Sequence, residues 1–144
     1  MNRAAHVNRL ARIQAGDRLP ERQFTPDNVQ LMLYNAALWN AHRIHFDAPY
    51  AKDVEGYPGL VIAGPMLGDW LHQCLEEWLG EDGHLVSIEY SNRVASYIGE
   101  TLRSGGTVTK CDPDSGEGEV EVFVINQDEV VITPGVARVK FAVA

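Results

Sequence analysis

The chain has 144 residues, enough for one domain with a single good core and too few for two independent ones. Twelve Lys and Arg against twenty Asp and Glu leave a formal charge of -8. That is the wrong sign for a protein that follows phosphate backbones by displacing counterions, so nucleic acid is not an expected partner.

The opening stretch "MNRAAHVNRLARIQAG" is polar and basic, without the apolar core of a signal peptide. No segment reaches the roughly 18 apolar residues that a membrane span requires. Cys74 and Cys111 are far apart and outside any C-x-x-C spacing. The expectation is a soluble, cytoplasmic protein with two free thiols and no membrane partner. Next comes a helix start, with Thr25 as N-cap, Pro26 in the first helical position and Asp27 in the first turn. A mostly apolar helix through Val29, Leu31, Met32, Leu33, Ala36, Ala37 and Leu38 follows, preceded by a possible strand or hairpin around Arg18 to Gln23. "APYAKDVEGYPGLVIAG" is broken by prolines and glycines and reads as loop, with at most a short helix at "PYAKD".

From Gly64 the pattern changes. Met66, Leu67, Trp70, Leu71, Cys74, Leu75, Trp78 and Leu79 recur at spacings of one and three, which places them on one broad face of a long helix. Pro65 suits its first position and Gly80 its end. Beyond Gly83 four strand-like segments are separated by Gly, Pro, Asp and Asn clusters, and "EVEVFV" alternates so that Val120, Val122 and Val124 share a face. A long helix followed by a meander of strands is best buried when an antiparallel sheet wraps around the helix.

The stretch "WNAHRIHFD" sets Asn40, His42, Arg43, His45 and Asp47 inside nine residues. Spacing alone leaves three readings open. The histidines satisfy local hydrogen bonds; or His42, His45 and Asp47 ligate a metal, without the support of an H-E-x-x-H helix or a cysteine pair; or a histidine moves protons while Asn40 holds a water or carbonyl. The start of the long helix adds an anion-favouring end, where Gly64 has a backbone N-H to offer and no side chain to obstruct a ligand. The plainer reading of Gly64 is a glycine required by a tight turn. No G-x-G-x-x-G or P-loop sequence is present.

These residues carry a resemblance. "YNAALWNAHRIHFDAPYAKDVEGYPGLVIAGPML", residues 34 to 67, is similar to the MaoC-like hot-dog hydratase/dehydratase superfamily. It looks most like the branch whose motif runs approximately Y-S-A-L-T-F-N-x-H-R-I-H-Y-D and then E-G-Y-P-G-L-V-V-H-G-P, a branch that includes mitochondrial 3-hydroxyacyl-thioester dehydratases and mesaconyl-CoA hydratases. "IEYSNRVASYIGETLRSGGTV" resembles the family's later strand pair, with Arg93 in its arginine position.

The resemblance implies an α+β hot-dog fold over residues 1–144, a curved antiparallel sheet around one long helix, and a lyase acting on 2-enoyl or 3-hydroxyacyl thioesters. His45 matches the catalytic histidine and Gly64 the glycine whose amide polarises the thioester carbonyl. Asn40 stands where the wider superfamily has an aspartate; an amide orients water but does not take its proton, so the base role falls to His45 or His42. Tyr34, Tyr57 and Arg93 are candidates for substrate binding, and Arg43 is a weaker candidate for an anionic handle. Coenzyme A enters only as part of an acyl-CoA or acyl-carrier substrate, with no separate cofactor and no metal. Leu33, Asn35 and Ala63 depart from the branch's arginine, serine and histidine; the apolar Leu33 and Ala63 point to an altered substrate pocket or to a catalytic strategy that has drifted. Two alternatives keep the fold: a non-catalytic or partner-dependent subunit, in a homodimer or a heteromer with another hot-dog chain, and a thioesterase using Asp69 on the long helix. In the plainer reading Asp69 is a first-turn charge that complements the helix dipole.

Overall fold

The long helix is α2, Gly64–Leu79, and its apolar face is the one the spacing predicts: Met66, Leu67, Trp70, Leu71, Cys74, Leu75 and Leu79 are buried, while Trp78 is half-buried at the margin. Ala63 is its N-cap, with Met66 N-H donating to the Ala63 carbonyl at 3.0 Å. The helix therefore starts one residue earlier than Pro65 suggests, and Gly64 is its first residue. It ends at Gly80, whose φ of 56° belongs to the left-handed region that glycine enters without steric cost. The structure, a computed structural model, describes residues 9–143. The polar opening stretch lies partly outside the described residues.

Around α2 curves a five-stranded antiparallel sheet of β1 (Arg22–Phe24), β2 (Gly83–Tyr90), β3 (Leu102–Cys111), β4 (Glu117–Ile125) and β5 (Val131–Phe141), in spatial order β1-β3-β4-β5-β2. Val120, Val122 and Val124 face inward and are all buried, as the alternation requires. They share one core with the α2 leucines, Leu102, Val108, Ile132, Val139 and Phe141. Phe24 stacks on Trp70 at 4.2 Å between ring centres, which fastens β1 to α2. The segment before β1 touches the sheet through a bridge from Arg18 to Thr107.

The helix between β1 and the histidine loop, α1, runs Asn28–Ala37 and is capped by Asp27, whose carboxylate accepts the Gln30 N-H at 2.8 Å. The Thr25 cap is thus displaced by two residues. The reason is tertiary: Gly99 N-H donates to the Pro26 carbonyl at 3.0 Å, and the Thr25 and Thr101 hydroxyls meet at 3.1 Å. Those bonds hold the chain extended through Pro26. Only Leu31 and Asn35 of α1 are buried, and Val29, Met32 and Leu33 are each more than half exposed. "PYAKD" forms one wide helical turn within Tyr50–Val54.

Candidate active site

Asn40 is placed by the way α1 ends. Trp39 N-H donates to Ala36 O (3.2 Å) and Asn40 N-H to Asn35 O (2.9 Å), the paired bonds of a Schellman turn. Trp39 occupies the left-handed position with φ 56° although it is not glycine, and the residue is 94% exposed. The loop then closes on itself. Asn40 Oδ1 accepts the His42 N-H at 3.2 Å, and His42 Nδ1 accepts the Ile44 N-H at 3.4 Å, capping the short 3-10 turn Arg43–His45. With Oδ1 engaged, Asn40 presents its NH2 group, and with Nδ1 accepting the Ile44 N-H, Nε2 is the ring nitrogen of His42 left to carry a hydrogen.

His45 is only 7% exposed. Its Nδ1 lies 2.7 Å from the Val61 carbonyl, which can only accept, so Nδ1 bears the hydrogen and Nε2 keeps the lone pair. Burial pushes the imidazole below its usual pKa, the nearby His42 pushes the same way, and the bond to Val61 opposes them. The two rings stand 5.8 Å apart. The bond to Val61 thus fixes the His45 ring with Nε2 unprotonated in the neutral form, and burial favours that form. Arg43 and Asp47 do other work: the guanidinium bonds the Asp47 carboxylate at 2.7 Å and sits 4.1 Å above the Tyr50 ring, and the Arg43 bond, helped by Tyr50 N-H, holds the Asp47 carboxyl below its usual pKa. Among the described residues no three His, Cys, Asp or Glu side chains gather to hold a metal.

Val61 links the histidine loop to the helix start. Its N-H donates to Ile44 O (3.0 Å) and its carbonyl meets His45, while its other flank bridges to Tyr97. Ile62 N-H to Ser96 O (2.8 Å) and Ile98 N-H to Leu60 O (3.2 Å) complete that pinning, and Leu60 to Ala63 are all buried. Gly64 follows three residues after Val61, within about 10 Å of chain. Its N-H, first in α2, has no acceptor among the described residues.

The other candidates fall on two sides. Tyr34 hydroxyl donates to Asp69 at 2.6 Å, joining α1 to α2, and burial together with that carboxylate raises the phenol above its usual pKa. Asp69 is thereby engaged. Tyr57 packs beside Tyr97, with ring centres 6.3 Å apart. Arg93 is exposed, with Nε bonded to Ser91 Oγ at 3.1 Å, and borders a cavity of about 590 Å³ together with Tyr90 and Val136. A slightly larger cavity, about 630 Å³, lies by Lys110, Glu117 and Lys140 and includes neither His45 nor Gly64. Val61 and Tyr97 escaped the sequence reading, because an apolar residue in a loop and a tyrosine after a strand carry no spacing signal of their own.

A single long helix gripped by a curved antiparallel sheet, with this histidine loop at the helix entrance, is the hot-dog fold of the MaoC-like hydratase/dehydratase superfamily. The chain belongs to the hydroxyacyl-thioester dehydratase type 2 family, whose profile matches residues 2–98. A mesaconyl-C(4)-CoA hydratase of Chloroflexus aurantiacus is 52% identical over 46 residues, which are 32% of this chain and 16% of that protein. The chain thus aligns with a small part of that relative's length. Among solved structures, the (R)-hydratase from A. caviae involved in PHA biosynthesis has a TM-score of 0.83 at 15% identity, over 91% of this chain and 98% of that one. The ChsH1-ChsH2 complex from Mycobacterium tuberculosis matches with a TM-score of 0.80 at 18% identity, over 90% and 98% of the two chains.

Proposed function

We propose that the chain is a lyase that reversibly hydrates 2-enoyl thioesters and, in reverse, dehydrates 3-hydroxyacyl thioesters, with the acyl group carried on coenzyme A or an acyl carrier. The observation that carries this reading is the buried His45, whose Nδ1 is held by the Val61 carbonyl so that Nε2 is left free, together with the open N-H of Gly64, three residues of chain beyond Val61. Hydration needs both: a base for water and a donor for the charge that develops on the thioester oxygen.

In this mechanism Nε2 of His45 takes a proton from water as the water oxygen bonds to C3. The C2=C3 electron pair moves toward the thioester, forming an enolate whose oxygen meets Gly64 N-H. The imidazolium then returns the proton to C2, so one water has been added and the histidine is neutral again. Asn40, through its NH2 group, holds the water oxygen, and His42 Nε2-H assists as a donor. Tyr57 borders the acyl group, and Arg93 faces the anionic part of the carrier. Tyr34 acts through Asp69, setting α1 against α2. The engagement of Asp69 by Tyr34 counts against a thioesterase base at that position.

A second chain of the same fold is the expected partner, either another copy or a related subunit. What supports this is β2, at the end of the sheet order, with Val86 and Tyr90 exposed along it. Among the described residues no helix is long and apolar enough to cross a membrane, and a cytoplasmic setting remains part of the proposal.

The test follows the conjugated enoyl-thioester absorbance of crotonyl-CoA, mesaconyl-CoA and a longer enoyl-CoA, with a thiol assay in parallel. Loss of the band without thiol release, abolished in His45→Ala, is the expected result. Thiol release would shift the reading to a thioesterase. Silence in both assays, with and without a co-expressed hot-dog partner, would refute it.

A further inference from the structure

Gly64 is not a glycine because of its backbone angles; it is one because of Asn92. A Cβ built on Gly64 would stand 2.3 Å from Asn92 Nδ2 and 3.2 Å from its Cγ, so the carboxamide fills the space where a side chain would be. Asn92 lies just beyond β2, and β5 holds the backbone on both sides of it: Ser91 N-H donates to Pro134 O (3.1 Å) and Arg93 N-H to Ile132 O (2.9 Å). Its side chain is oriented as well. The hydroxyl of Thr133, which is fully buried, donates to Asn92 Oδ1 at 3.0 Å. With Oδ1 turned to Thr133, the NH2 group is turned to Gly64, and no acceptor for it exists among the described residues. The residue as a whole is exposed.

We propose that the Asn92 carboxamide is a second donor, beside the Gly64 N-H, to the thioester oxygen. The inference rests on the enoyl-thioester reading and adds a catalytic residue to it. Two donors on one oxygen suit an enolate better than one: each is preorganised before charge develops, and each loses less to solvent than a mobile water would. The buried Thr133 supplies the preorganisation, since it fixes which end of the amide faces the substrate.

The experiment compares wild type, Asn92→Asp, Asn92→Ala and His45→Ala in two measurements. One is the steady-state hydration of crotonyl-CoA; the other is the enolate absorbance of bound acetoacetyl-CoA, which reads stabilisation of the oxyanion without turnover. Asn92→Asp keeps the shape and the acceptor for Thr133 but replaces the donors with negative charge. For Asn92→Ala the expected result is a kcat lower by about 100-fold, the scale of one lost oxyanion donor, with KM changed by less than about threefold. Asn92→Asp should lose at least as much, at unchanged melting temperature, and both variants should lose the enolate band. His45→Ala should keep that band while losing turnover. If both Asn92 variants keep kcat and the band while His45→Ala is inactive, Asn92 is only a packing residue and the hydratase reading stands without it. If wild type, with and without a co-expressed hot-dog partner, hydrates none of crotonyl-CoA, mesaconyl-CoA and a longer enoyl-CoA and shows no band, both fall together.

Discussion

Replacing Gly64 by alanine tests the packing argument without any appeal to catalysis. The new methyl would sit 2.3 Å from Asn92 Nδ2, about 1 Å inside the 3.4 Å at which ordinary contact begins. Gly64 is not among the glycines with positive φ, so alanine is conformationally acceptable and the whole penalty comes from the collision. The carboxamide must swing away, which leaves the fully buried Thr133 hydroxyl without its acceptor. Stranding a buried donor costs about 1–3 kcal/mol. In an Asn92→Ala background the collision is gone, and Gly64→Ala should be neutral or stabilising by about 0.5 kcal/mol, because alanine has less chain entropy to lose. Urea unfolding of the four proteins forms a double-mutant cycle with an expected coupling of about 1–2 kcal/mol. Equal costs of Gly64→Ala in both backgrounds would refute the reasoning, since the methyl would then be meeting something other than Asn92.

Other expectations are smaller in scope. His45 has its pKa lowered by burial, so the base limb of hydration should bend below the usual imidazole value of about 6.5, and a bend above it would contradict the buried geometry. The same shift has a stability consequence. The unfolded chain binds the proton more readily, so His45's contribution is fully present above about pH 6.5 and is lost as pH falls through the folded value. Urea midpoints of wild type and His45→Gln should accordingly converge toward acid pH. Trp39→Gly should stabilise the fold by about 1 kcal/mol, because the left-handed turn suits glycine and a residue 94% exposed has little packing to lose; a lower melting temperature would show that the indole is anchored. Tyr34→Phe removes the bond to Asp69 and should cost about 1 kcal/mol in urea unfolding; an unchanged urea midpoint would refute a fastening role for the pair.

How much was legible in the sequence differs from element to element. α2 was legible because one helix face is solid with apolar residues and a core of this size has to bury such a face. β4 was legible because its valines alternate. The start of α1 was not: Thr25-Pro26-Asp27 offers two capping side chains, and the choice of Asp27 is made by bonds to Gly99 and Thr101, more than seventy residues away. The exposed apolar face of α1 likewise could not be foreseen, since an apolar pattern does not say whether a surface exists to cover it.

The site divides along the same line. The local motif placed Asn40, His42 and His45 within one turn-rich loop, and the onset of the long apolar helix marked Gly64. By itself, then, the sequence determined the helix, the strand meander and the identity of the polar cluster, because each is written in short-range spacing. Which histidine nitrogen is free, that burial lowers its pKa, that Asp47 belongs to Arg43 and Asp69 to Tyr34, and that Asn92 stands against Gly64 were decided only by the tertiary structure. Except for the Arg43–Asp47 pair, these depend on contacts between residues sixteen or more apart, and such contacts come into existence only when the sheet closes around the helix.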